Sequence, residues 1–219
     1  MEKEGVRMRD QWSDEFWYER LLNEDSAARP LNSLEKSSII NLCMQEAQKQ
    51  KDKLEQRFGI RNAEAYIAEF GYQIEEEEPD LMPSFLYMGM MVPDERKIRL
   101  NRTVIRLLDA YMRERFPEDD ERIGKLMEII RFHELFHVVE EATEGIVTRN
   151  VRTPVRVLGM VWRNRKVEAA SEIGAIHFSR LMTGASFPPG LYISYLLAAT
   201  NQNADEDDEY RDSKKGRRE

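Results

Sequence analysis

Two of the chain's three histidines stand four residues apart in His133-Glu134-Leu135-Phe136-His137. Residues at that spacing share one face of a helix, so both imidazoles can reach a single point. Neutral imidazoles converging in this way suit a zinc ion. A glutamate between them, here Glu134, is placed to act as general base on zinc-bound water. The flanks, Leu126 to Phe132 and Val138-Val139, are strongly apolar, which places the helix in the interior. A lone carboxylate there would cost several kcal/mol or be forced neutral. A neighbouring cation removes that penalty. The bland alternative is a pair of core histidines bonded to backbone carbonyls.

A zinc site needs a third protein ligand and groups that orient the ligands. Glu168-Ala169-Ala170-Ser171-Glu172 offers two carboxylates four apart among small residues that let two helices approach closely. Glu168 is assigned as the ligand, because a polar orienting group, Glu172, then follows at four residues. With the roles exchanged, Ile176 would occupy the orienting position. Glu172 stays open as the alternative ligand. His177 is read as a core residue.

The elements that must hold these groups follow from pattern. Helices are expected over residues 10–22, from the Asn32 cap to about Phe58, over 61–70, 103–116 and 121–142, and from Pro154 to about Thr183. A short apolar helix should follow at 191–199, where Tyr192 or Tyr195 is a candidate oxyanion donor. Ser84 to Val92 and the alternating Lys97-Ile98-Arg99-Leu100-Asn101 predict an antiparallel hairpin. The four acids Glu75 to Glu78 before Pro79 read as a solvated turn. The fold class is therefore α+β and mainly helical, with a small antiparallel sheet and an active-site helix packed on a second, ligand-bearing helix. The organisation expected is a helical amino-terminal segment at 1–78, the core at 79–200, and a disordered charged tail at 201–219.

Composition narrows the function. The 219 residues carry 41 acids and 33 bases, a formal net charge of -8, so no general nucleic-acid binding is expected, only at most a local basic patch. The single cysteine, Cys43, excludes an intramolecular disulfide. No secretory signal or membrane span is evident, and a cytoplasmic location is the default.

The order Tyr87-Met88-Gly89, then Ile98-Arg99-Leu100-Asn101, then His133 to His137, then Arg165-x-x-Glu168-x-x-Ser171-Glu172-x-x-Ala175 resembles the ImmA/IrrE-type metallopeptidases, within the thermolysin-like, glutamate-ligand zincins. The likeness spans roughly Ser84 to Thr183. It implies a zincin-like core and a zinc-dependent hydrolase cleaving a peptide bond in a protein partner such as a transcriptional repressor. The competing expectation is a metal-bearing but non-catalytic regulatory or binding protein.

Overall fold

The computed structural model describes residues 13–82, 86–118, 120–157 and 161–201. The start of the first helix, Ser84 and Phe85 of the expected hairpin, and the expected charged tail beyond residue 201 lie outside them.

Helix starts and stops follow local chemistry. Helix α1 (Asp14–Glu24) begins where the Ser13 hydroxyl accepts the Phe16 N–H, and it buries Trp17, Tyr18 and Leu22. Helix α2 (Ser33–Phe58) opens with a reciprocal capping box between Asn32 and Glu35 and stops at Gly59, whose φ of 75° favours glycine. Helix α3 (Ala63–Glu69) is capped by Asn62. Helices α4 (Arg102–Arg115) and α5 (Glu121–Ala142) are capped by Asn101 and Asp120. The short α6 (Val147–Asn150) leads on to α7 (Ala169–Thr183), and α8 covers residues 191–201.

Strands β1 (Gln73–Glu77), β2 (Gly89–Val92) and β3 (Lys97–Asn101) form a sheet in the order β1-β3-β2. The expected antiparallel hairpin is β2-β3, joined by a 3₁₀ turn over Pro93–Glu95. The sheet is nevertheless mixed, because β1 lies parallel to β3. The acidic run read as a solvated turn is thus largely a strand. Its carboxylates are held by cations across the edge: Glu75 by Lys97 at 2.9 Å, Glu76 by Arg102 at 3.6 Å, and Glu78 by Arg106. Charge on an edge strand also discourages pairing with other chains.

A second correction concerns Pro154. The expected long helix from this residue is instead a two-stranded antiparallel ribbon, β4 (Arg152–Val157) and β5 (Val161–Lys166), followed by the shorter α7. A two-stranded ribbon has an open edge on each strand, where a residue without an N–H is tolerated. Thr153 anchors the ribbon by donating its hydroxyl to the Ala27 carbonyl at 2.7 Å.

Helix α7 packs between α5 and α2. Its small residues allow this: a Cβ built at Gly174 would meet the Phe136 ring at 2.7 Å. Phe178 stacks on Phe136 with ring centres 5.3 Å apart. One buried cluster runs from Trp17 to Leu196, so α1 and α2 share a core with the residues beyond 78. Among the described residues, no helix is long and apolar enough to cross a membrane.

Candidate metal centre

His133 and His137 project one turn apart from the same face of α5, and their Nε2 atoms lie 3.2 Å apart. Glu172, in the first turn of α7, brings Oε2 to 3.4 Å from Nε2 of His133 and Oε1 to 3.7 Å from Nε2 of His137. Each residue offers one ligand atom within 4.8 Å of the others, so the three can hold a metal ion. The Glu172 side chain is about half exposed, leaving the cluster open on one side.

Glu168 lines the same cleft but stands outside this donor set. It precedes the first helical residue, its side chain is 71% exposed, and it pairs with Lys166 at the end of β5. Of the two glutamates kept open from sequence, the structure brings Glu172, and not the favoured Glu168, to the imidazoles. That assignment assumed one continuous helix through Arg165 and Glu168. With the helix starting at Ala169, only Glu172 is held by helical geometry against α5.

The orienting role expected of Glu172 falls to Glu140. This carboxylate is 4% exposed and lies 3.0 Å from Nδ1 of His137. It also accepts the Ser171 hydroxyl at 2.5 Å and the Thr148 hydroxyl. Burial opposes its ionisation, but the hydrogen bonds from His137, Ser171 and Thr148 outweigh this and hold its pKa below the usual range. Sequence reasoning passed over Glu140. The available signal was its position three residues after His137, on the same helix face.

Glu134 is 4% exposed beside the imidazoles. Burial pushes its pKa up, against the lowering effect of His133, His137 and a hydrogen bond from the Met91 backbone. That bond ties it to β2. A Cβ on Gly89 would stand 2.7 Å from Glu134 Cγ and Oε1, so only glycine leaves the carboxylate this place.

The chain matches no protein-family model, curated protein or solved structure in comparisons with each.

Two cavities meet at the site. A cleft of about 380 Å³ lies between β2 and α7, bordered by Met90, Met91, Arg149, Lys166 and Ser171. An apolar cavity of about 260 Å³, bounded by Met88, Ile129, Ile130, Ile176 and Ile193, opens onto His133 and Glu134. The tyrosines considered as oxyanion donors are engaged elsewhere. Tyr192 donates to the Arg122 carbonyl at 2.6 Å, and the Tyr195 hydroxyl accepts from the Arg122 guanidinium at 3.0 Å. His177, half-buried beside the core, lies 3.1 Å from the Tyr18 hydroxyl.

Proposed function

We propose that the chain is a zinc-dependent metallopeptidase with a zincin-like core, hydrolysing a peptide bond in a protein partner such as a transcriptional repressor. One observation carries this reading: the spacing of the three donors. Ligands bound at 2.0–2.2 Å around a tetrahedral ion stand roughly 3.3 Å from one another. The imidazole Nε2 atoms are 3.2 Å apart, the two Glu172 oxygens approach them at 3.4 Å (Oε2 to His133) and 3.7 Å (Oε1 to His137), and one donor atom from each residue lies within 4.8 Å of the others, with Glu134 adjacent but outside the donor set. His133, His137 and Glu172 would hold the ion, and Glu140 would keep Nε2 of His137 directed at it.

When bound, zinc supplies Lewis acidity, polarising a scissile carbonyl and making water acidic. The chain's own groups do the rest. Glu134 takes the proton of the attacking water and returns it to the leaving amine. Burial raises its pKa, which makes it a stronger base than a solvated carboxylate. Among the described residues β2 pairs with β3 on one side only, so its other edge can receive an extended peptide. The apolar cavity beside His133 would take a hydrophobic side chain next to the scissile bond.

The test is Glu134→Gln, assayed by co-expression with candidate repressors. Loss of cleavage with zinc retained supports the peptidase. Unchanged biological activity would sink it in favour of a non-catalytic metal protein.

A further inference from the structure

From Gly145 to Val167 the chain has six bases and no acid, although acids outnumber bases overall by 41 to 33. Five of the six, Arg152, Arg156, Arg163, Arg165 and Lys166, lie on the β4-β5 ribbon, and Arg149 is on α6 just before it. Register puts Arg163 and Arg165 on one face, opposite Val155 and Thr153, and sets Arg152 against Lys166 on the other. Both faces of the ribbon therefore carry cations.

The ribbon borders the metal cleft. Lys166 and Arg149 line the cleft that holds His133, Glu134 and Glu172, and a second depression continues past Lys166 and Glu168 to Arg165 and Asp25. The carboxylates along this path already have partners. Asp25 accepts the Ala27, Ala28 and Ala169 backbone N–H groups, Glu24 pairs with Arg20, Glu168 with Lys166, and Glu141 with Arg149. Arg152, Arg163 and Arg165 are exposed and form no ion pair among the described residues. Most other arginines at the surface are neutralised by nearby acids, so the ribbon concentrates uncompensated positive charge beside the site.

We infer that the ribbon is the docking surface for an acidic segment of the protein substrate, flanking the bond presented to Glu134. The inference rests on the peptidase reading for the word substrate, but the binding it requires does not depend on hydrolysis. A short acidic polypeptide fits better than nucleic acid. Outside residues 145–167 the sequence has 41 acids against 27 bases, a balance that disfavours an extended polyphosphate, whereas a few carboxylates can lie within the ribbon's own field. Charges at such a rim act chiefly on encounter and selectivity.

The test measures anisotropy of fluorescein-labelled peptides on full-length Glu134→Gln protein, both zinc-loaded and zinc-free. Three peptides share one sequence, with alternate positions filled by Glu, Gln or Lys, and a single-stranded oligonucleotide is added as a fourth probe. Exposed ion pairs are individually weak, so several together should favour the Glu peptide over the Gln peptide by about tenfold. That preference should fade from about 0.01 M to about 0.15 M salt, as the screening length drops from roughly 30 to 8 Å. The double variant Arg163→Glu, Arg165→Glu should abolish it while circular dichroism and zinc content stay unchanged. Equal binding of Glu and Gln peptides, no binding of either, or tighter binding of the oligonucleotide overturns the inference. A preference that persists in zinc-free or hydrolytically silent protein upholds the docking surface even if the peptidase reading fails.

Discussion

Nδ1 of His137 and the carboxylate of Glu140 lie 3.0 Å apart in a buried pocket, and the same carboxylate gathers hydroxyls from α6 and α7. An ionised acceptor on Nδ1 holds a proton there, so that once Nε2 gives up its own proton its lone pair faces His133 and Glu172. One side chain thus orients His137 and ties together the three helices around it.

Glu140→Gln should weaken zinc binding by roughly 10–100-fold, the usual cost of losing an outer partner of a ligating histidine. Glu140→Ala should also strand the Thr148 and Ser171 hydroxyls, costing about 1–3 kcal/mol of stability. Chelator competition and thermal unfolding measure the two effects separately. Wild-type affinity in Glu140→Gln would show that the contact does not orient His137.

The two candidate third ligands separate cleanly. Glu172→Gln should lose zinc on dialysis, with a larger drop in affinity than the roughly 10–100-fold expected of an outer partner. Glu168→Gln should keep zinc, since it gives up only an exposed pairing with Lys166. Elemental analysis of both proteins decides the matter, and zinc lost from Glu168→Gln alone would restore the assignment made from sequence.

The choice between Glu168 and Glu172 shows how far pattern could reach. The limits of α5 were legible because the acids after Pro117 open it and a run that is apolar on most faces carries it to Ala142. The β2-β3 pair was legible from alternation. Glu172 was misjudged because Pro154 suits the first turn of a helix as well as an open strand edge, and only pairing with β5 separates the two. β1 was missed because its acids are compensated by Lys97, Arg102 and Arg106, more than 20 residues away. Glu140 was missed for the same reason: two of its three partners, Thr148 and Ser171, come from other helices. What local periodicity carries was readable. What depends on contacts between distant segments was not.

The site also predicts a pH dependence for the zinc-free protein. Burial disfavours a charged His137, but the Glu140 hydrogen bond and the Glu172 and Glu134 carboxylates outweigh it and raise its pKa from 6.5 to about 9. Burial likewise opposes ionised Glu172, and the imidazoles more than offset that, lowering its pKa from 4.5 to about 2. A raised histidine pKa stabilises fully below 6.5 and is lost as pH climbs through about 9. A depressed carboxylate pKa stabilises above 4.5 and is lost as pH falls through about 2. The zinc-free protein should therefore melt highest between these limits, at about pH 4.5–6.5. Zinc must displace the His137 proton, so its apparent affinity should rise by about tenfold per pH unit up to that pKa. Melting curves across pH with and without zinc test both signs. A zinc-free protein more stable at pH 9 than at pH 6 would refute the His137–Glu140 coupling.

Gly89→Ala probes the link between β2 and the general base. The added Cβ would press on Glu134 Cγ and Oε1 at 2.7 Å, so the carboxylate must move, and the three atoms nearest to that Cβ all belong to Glu134. A misplacement of about 1 Å in a catalytic group can cost on the order of 10²-fold in rate. The expected outcome is a fall in kcat of that size with zinc content unchanged, since Glu134 lies outside the donor set. The same change in β2 would weaken peptide pairing only through its backbone, which alanine preserves, so KM should hardly move. An unaltered kcat would mean that Glu134 does not depend on the space left by Gly89, and its role as the base would then have to be carried from another position.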